Sequence, residues 1–143
     1  MASTLFRDIA ILVARIGLGV VFVAHGWQKF FDAGVGATQA SFRDMNVPAS
    51  NVSAVVAAAV ELGGGVALVA GLATSIAGFL LFLDMLGAFV IVHLDKGVFV
   101  AEGGYELVVA LGTGALLLAV SGAGRLGIDG LIGRGSGWGR TAE

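Results

Sequence analysis

Four nearly uninterrupted apolar runs, at about residues 9–31, 52–72, 76–94 and 105–120, occupy most of this 143-residue chain. A bilayer core about 30 Å thick takes roughly 20 apolar residues of helix to cross, and a backbone inside it must bond to itself. The runs therefore predict an all-α integral membrane protein, a four-transmembrane-helix bundle forming a single domain over 1–143. Composition agrees: 57% of residues are hydrophobic and 13% charged, about half the charge of a soluble domain.

The connections refine this picture. Only Ala73, Thr74 and Ser75 separate the second run from the third, so those two form a tight antiparallel hairpin. Between Asp32 and Asn51, polar Thr38, Gln39, Ser41, Arg43, Asp44 and Asn46 alternate with Ala37, Ala40, Phe42 and Met45, as in a short interfacial helix. Pro48, the single proline, closes that segment, and Ser50 or Asn51 is placed to cap the next helix. In the second run Ala59, Gly63, Ala67 and Gly71 recur every four residues, a face without bulk against which another helix packs closely. From Ser121 a glycine-rich tail with Arg125, Arg134, Trp138 and Arg140 is expected to rest at the membrane surface. Arg7 before the first run opens like a signal peptide, but no small-x-small site follows, so a retained signal-anchor is expected. Arg7, Arg125, Arg134 and Arg140 flank one side and Lys29, Arg43 and Lys96 the other, which favours both termini in the cytoplasm.

Ionisable residues inside the runs carry the functional signal. At about 100° per helical residue, Arg15, Leu18, Phe22, His25, Gly26 and Lys29 fall on one side of the first helix. Charges aimed at lipid are costly, so such a stripe faces protein or a polar cavity. Counting depth from the termini gives two layers. The inner one is a buried polar network of Arg15, Glu61 and Asp84, with Arg15 as the counterion of Glu61 and of Asp84. Two carboxylates sharing one arginine also leave one of them as a proton acceptor; separate counterions would undo the network. The outer layer, His25, Lys29, His93, Tyr105 and Glu106, is a candidate cofactor pocket able to hydrogen-bond quinone carbonyls. Each histidine also has a plainer reading, as an interfacial residue with its own hydrogen bond satisfied. Asp84 and His93 lie about half a turn out of phase and share a pocket only if their helix is distorted. His25, Lys29, Phe30 and His93, Lys96, Phe99 close the first and third runs alike, while Glu61 and Glu106 each precede a leucine, a hint of two related hairpins.

Other chemistries are disfavoured. A net charge of -2 without a basic run argues against nucleic acid. The absence of cysteine removes thiol relays and thiolate metal sites, and two histidines without HExxH spacing predict no metal site. Gly122, Gly124 and Gly127 spell G-x-G-x-x-G, but no strand or βαβ unit surrounds them, as dinucleotide binding requires.

The chain resembles the DoxX family of small four-helix bacterial membrane proteins. The likeness rests on R-x-x-L-G-x-x-F-x-x-H-G-x-x-K-F (Arg15 to Phe30) and on E-x-G-G-G-x-x-L-x-x-G-L-x-T (Glu61 to Thr74). It extends to Met85, Ala88 and His93, to Gly103 through Glu106, and to Gly122, Gly124 and Asp129. This resemblance implies a multi-pass protein of the bacterial inner membrane serving an oxidoreductase system. It further implies links to oxidative stress and sulfur chemistry, and partners that handle superoxide or sulfur compounds. Without cysteine or a flavin motif the chain would rely on such partners for electrons. Quinone is the candidate cofactor; membrane lipid and a second copy of the chain are the other expected contacts. Two rivals stand beside this reading: a non-catalytic scaffold subunit docking through its small-residue faces, and a small-solute or proton-coupled carrier using Glu61 and Asp84.

Overall fold

Runs of Ala, Leu, Val, Ile and Gly without internal proline give the backbone no alternative to its own hydrogen bonds, and they form helices. The computed structural model describes residues 2–135, with side-chain surroundings for 4–133. Trp138, Arg140 and the Arg134 side chain lie outside the described residues. Among the described residues every regular element is helical. Helix α1 is Ala2–Trp27, and a π-turn, Gln28–Asp32, continues it. Helix α2 follows at Val35–Asp44, α3 at Ser50–Ala70 and α4 at Thr74–Ala88. A second π-turn, Phe89–His93, extends α4, and two short 3₁₀ turns lead to α5, Glu106–Ser121. Helix α6 is Ile128–Gly135.

Among the described residues three helices are long and apolar enough to cross a membrane: Thr4–Asp32, Ser50–Ala70 and Thr74–Lys96; Glu106–Ser121 is a shorter apolar helix. Their outward faces carry Val13, Val20, Val66 and Ile76 at more than half exposure. A soluble monomer rarely leaves so much apolar surface open, whereas lipid accepts it. Inward, Phe22 of α1, Leu68 of α3, Leu81 and Met85 of α4, and Leu111, Ala115 and Leu118 of α5 form one core.

Close packing uses glycines in a register the small-residue periodicity does not show. A Cβ at Gly65 would meet the Val23 nitrogen at 2.7 Å, and one at Gly26 would meet Leu62 Cα at 2.8 Å, so α1 and α3 touch backbone to backbone. Gly63, by contrast, has open space beside it, and Ala59 is also exposed. The repeating small face therefore points partly outward, and the glycine one or two residues further on makes the contact. Helix α3 ends in a Schellman turn: Gly71 has φ +69°, its N–H donates to the Leu68 carbonyl, and the Leu72 N–H donates to the Ala67 carbonyl. The start of α3 differs from expectation. Ala49 at φ +49° is its N-cap and makes no side-chain cap bond, and neither Ser50 nor Asn51 serves as the cap.

Candidate functional site

The two π-turns set the geometry of the polar side chains. A π-turn adds one residue to a helical turn and shifts the angular phase of the residues beyond it. Asp84 and His93, out of phase on a regular helix, both line one cavity because Phe89–His93 lies between them. In the first π-turn the Ala33 N–H donates to the Gln28 carbonyl five residues back. Thr38 of α2, buried, donates its hydroxyl to the Lys29 carbonyl at 2.9 Å, so α2 braces the backbone that carries Lys29.

Lys29 reaches inward from there. Its Nζ lies 2.5 Å from Glu61 Oε2 on α3, with Glu61 almost fully buried. Asp84 of α4 lines the same cavity as Glu61. These three side chains, with His25 and His93, line a cavity of about 490 Å³. Phe22, Ala57, Met85, Leu107, Val108 and Leu111 give it apolar walls, and Phe42 of α2 with Met45 and Val47 of the α2–α3 connection also line it.

Both histidines are held the same way. His25 Nδ1 lies 2.9 Å from the Val21 carbonyl and His93 Nδ1 lies 2.6 Å from the Gly103 carbonyl. A carbonyl can only accept, so each Nδ1 donates and each Nε2 is left for another partner. Helices α1 and α4 each continue into a π-turn, with backbone-anchored His25 shortly before the first and backbone-anchored His93 as the last residue of the second.

The structure corrects the expected polar network. Arg15 does not pair with Glu61 or Asp84. Helices α1 and α3 are antiparallel, which sets Arg15 against Gly71 at the C-terminal end of α3, far along the helix from Glu61. Arg15 is 1% exposed; its Nη2 donates to the Leu126 carbonyl at 3.2 Å, and Asp129 of α6 is its nearby countercharge. Its Nε and Nη1 have no hydrogen-bond partner among the described residues. Two polar clusters replace one. In the second, Asp129 accepts from the Ala73 and Thr74 N–H groups at 2.8 and 2.9 Å and so caps α4 from a distance. Burial works against the charge on Asp129, but those two N–H groups and Arg15 outweigh it and hold its carboxyl below the ordinary carboxylate value. Buried Asp8 accepts from the Arg125 N–H at 3.2 Å.

Two of the candidate pocket residues lie outside the cavity. Tyr105 packs edge-on against Phe89, centroids 5.4 Å apart. Glu106 accepts from the Val100 N–H at 2.8 Å and closes the loop before α5. Helix α5 offers the cavity only apolar side chains. The cavity instead recruits Glu61 and Asp84 from the supposed inner layer, because Lys29 is long enough to bridge the difference in depth. Asp129 was visible to sequence only within the glycine-rich motif of the tail; Asp8 gave no signal, and Phe42 and Met45 read only as apolar positions of an interfacial helix.

A sequence model of the family DoxX matches residues 10–94. The chain is 34% identical over 128 residues to the Bacillus subtilis (strain 168) protein named "Putative oxidoreductase CatD", covering 90% of each chain. It is 34% identical over 131 residues to the Escherichia coli (strain K12) protein named "Inner membrane protein YqjF", covering 88% of this chain and 94% of that one. No solved structure matches it.

Proposed function

The chain belongs to the DoxX family, and from that membership we propose that it is an inner-membrane subunit of a bacterial oxidoreductase system whose cavity binds a lipid-soluble quinone headgroup. In this reading α5, 16 residues long or about 24 Å at ~1.5 Å per residue, is the fourth membrane-crossing helix. Helix α2 lies at the interface and both termini are cytoplasmic. The name of the B. subtilis relative supports the redox setting and that of the E. coli relative the membrane. Superoxide- or sulfur-handling partners would supply the electrons, since the chain has no cysteine.

One observation carries the proposal: a mostly apolar cavity lined by Lys29, Glu61, Asp84 and the two histidines, His25 and His93. Its volume suits a small-molecule site, which typically spans roughly 300–1,000 Å³. A quinone ring needs apolar walls and hydrogen-bond donors for its carbonyl oxygens, and the residues present fit both needs. Exposed Leu83, Ile91, Val100 and Leu107 at the cavity rim face the lipid, where an isoprenoid tail would lie. No residue of the Arg15 cluster lines the cavity; those residues bond instead among themselves, Arg15 to the Leu126 carbonyl and the Ala73 N–H to Asp129.

The test is the thermal midpoint of the protein in lipid nanodiscs with and without a short-chain benzoquinone. A ligand at a hundred times its Kd stabilises by about 2.7 kcal/mol, and Ala88→Trp, which fills the cavity, should abolish the shift. No shift in the wild type, or an equal one in Ala88→Trp, overturns the proposal. A second reading, an accessory subunit without chemistry, draws on the open face at Ala59 and Gly63. It predicts that Gly63→Leu disrupts assembly with partners while quinone binding is absent from the start.

A further inference from the structure

The polar side chains that line the cavity differ in which of their hydrogen-bonding groups are already engaged. Ser53 donates its hydroxyl to the Pro48 carbonyl at 2.6 Å, and the Lys29 ammonium lies 2.5 Å from Glu61 Oε2. Each histidine has given its Nδ1–H to a backbone carbonyl, His25 to Val21 at 2.9 Å and His93 to Gly103 at 2.6 Å. An uncharged imidazole carries one N–H. With that proton fixed on Nδ1, Nε2 holds a lone pair and can only accept. Neither Nε2 has a hydrogen-bond partner among the described residues, and neither is shut in by the surrounding protein. The carboxyl groups of Glu61 and Asp84 add further acceptor oxygens, while α5 presents Leu107, Val108 and Leu111. What the lining has left to offer a ligand is therefore weighted toward acceptors, against which stand the spare N–H groups of Lys29.

We propose that the cavity discriminates between the two redox forms of its ligand and holds the reduced, hydroxyl-bearing ring, the quinol, more tightly than the quinone, with His25 Nε2 and His93 Nε2 as the acceptors of its hydroxyl protons. The inference rests on the cavity being a headgroup site. Quinone and quinol share ring and tail, so the apolar walls treat them alike. They differ at the ring oxygens, which only accept in the oxidised form and also donate in the reduced one. A hydroxyl facing Nε2 makes a hydrogen bond; a carbonyl there sets lone pair against lone pair and leaves the nitrogen unpaired. The spare N–H groups of Lys29 serve an oxygen in either form, so the quinone still binds. Preference for the reduced form raises the midpoint potential of the bound couple, and a tenfold preference corresponds to about 30 mV for two electrons. The two histidines are thus the residues that determine which form the site favours.

The chain has two histidines in all, so nitrogen-15 spectra of the histidine-labelled full chain in nanodiscs, without ligand and at pH 8, read both tautomers directly. Two Nδ1–H imidazoles are expected. A spectrum that shows either histidine as the Nε2–H tautomer or as imidazolium overturns the acceptor assignment, whether or not quinone binds. Affinities are then compared anaerobically in the same nanodiscs for a short-chain benzoquinone and its quinol. Wild type should bind the quinol about tenfold more tightly, the worth of one to two net hydrogen bonds. His25→Phe and His93→Phe each keep a planar ring and should each weaken quinol binding about threefold, with quinone affinity within about twofold of wild type. Equal affinity of wild type for the two forms, or tighter binding of the quinone, overturns the preference and leaves the headgroup reading standing. A preference undiminished in both variants overturns the role of the histidines. Binding of neither form to wild type removes the headgroup reading, and the preference falls with it.

Discussion

Lys29 is the residue on which the site turns, because Glu61 is buried and the lysine ammonium is the cation that touches it. Removing one partner of a buried pair leaves an uncompensated charge, at a cost of about 3–5 kcal/mol. Lys29→Met should therefore lower the thermal midpoint strongly, and Lys29→Met/Glu61→Gln should recover most of the loss. Unfolding followed by tryptophan fluorescence in detergent measures both; a harmless single substitution would show that the pair contributes nothing. At the other cluster Asp129 titrates below its ordinary value because of the Ala73 and Thr74 N–H groups. A carboxyl depressed on folding adds stability that is complete above its unfolded pKa and is lost as pH falls through the folded one. Wild type should thus exceed Asp129→Asn in thermal midpoint at neutral pH, and the gap should close in acid.

Among the elements, α1 and α3 are closely paired, and the contact rests on backbone touching backbone at Gly19, Gly26 and Gly65. In lipid such packing, rather than escape from water, holds helices together. Gly65→Val would drive its side chain into the Val23 backbone and should separate the helices, with a cost of several kcal/mol or failure to accumulate. Gly63→Ala, two residues away and facing open space, should stay within about 0.5 kcal/mol of wild type. Thermal midpoints of the two variants side by side check the assigned register. A four-residue repeat of small residues in the sequence tells that some face is thin; it does not tell which glycine meets the neighbour, because the rotation of a helix about its axis is settled by both partners.

At the scale of the whole molecule the polar residues separate into a cavity at one end of the bundle and a closure at the other. The closure is held by Arg15 to Leu126, Asp8 to Arg125, and Asp129 to the start of α4. Arg15→Leu should release the segment around Arg125, seen as faster trypsin cleavage at that residue, while Glu61→Gln should leave cleavage unchanged. Were the two residues ion-pair partners, both substitutions would act alike.

Sequence by itself determined what depends on local pattern: apolar runs long enough for a membrane, helices throughout the described residues, the hairpin at Ala73–Ser75 and the family motifs from Arg15 to Thr74. It also singled out His25, Lys29, Glu61, Asp84 and His93, since an ionisable side chain in an apolar run must find a partner. Which partner it finds was decided only by tertiary structure. Helix depth counted on a uniform 1.5 Å rise placed Glu61 beside Arg15, yet two π-turns, the reach of Lys29 and a countercharge arriving from α6 rearranged the pairs. Local sequence sets how far a side chain extends from its own helix; the packing of the others determines what waits there.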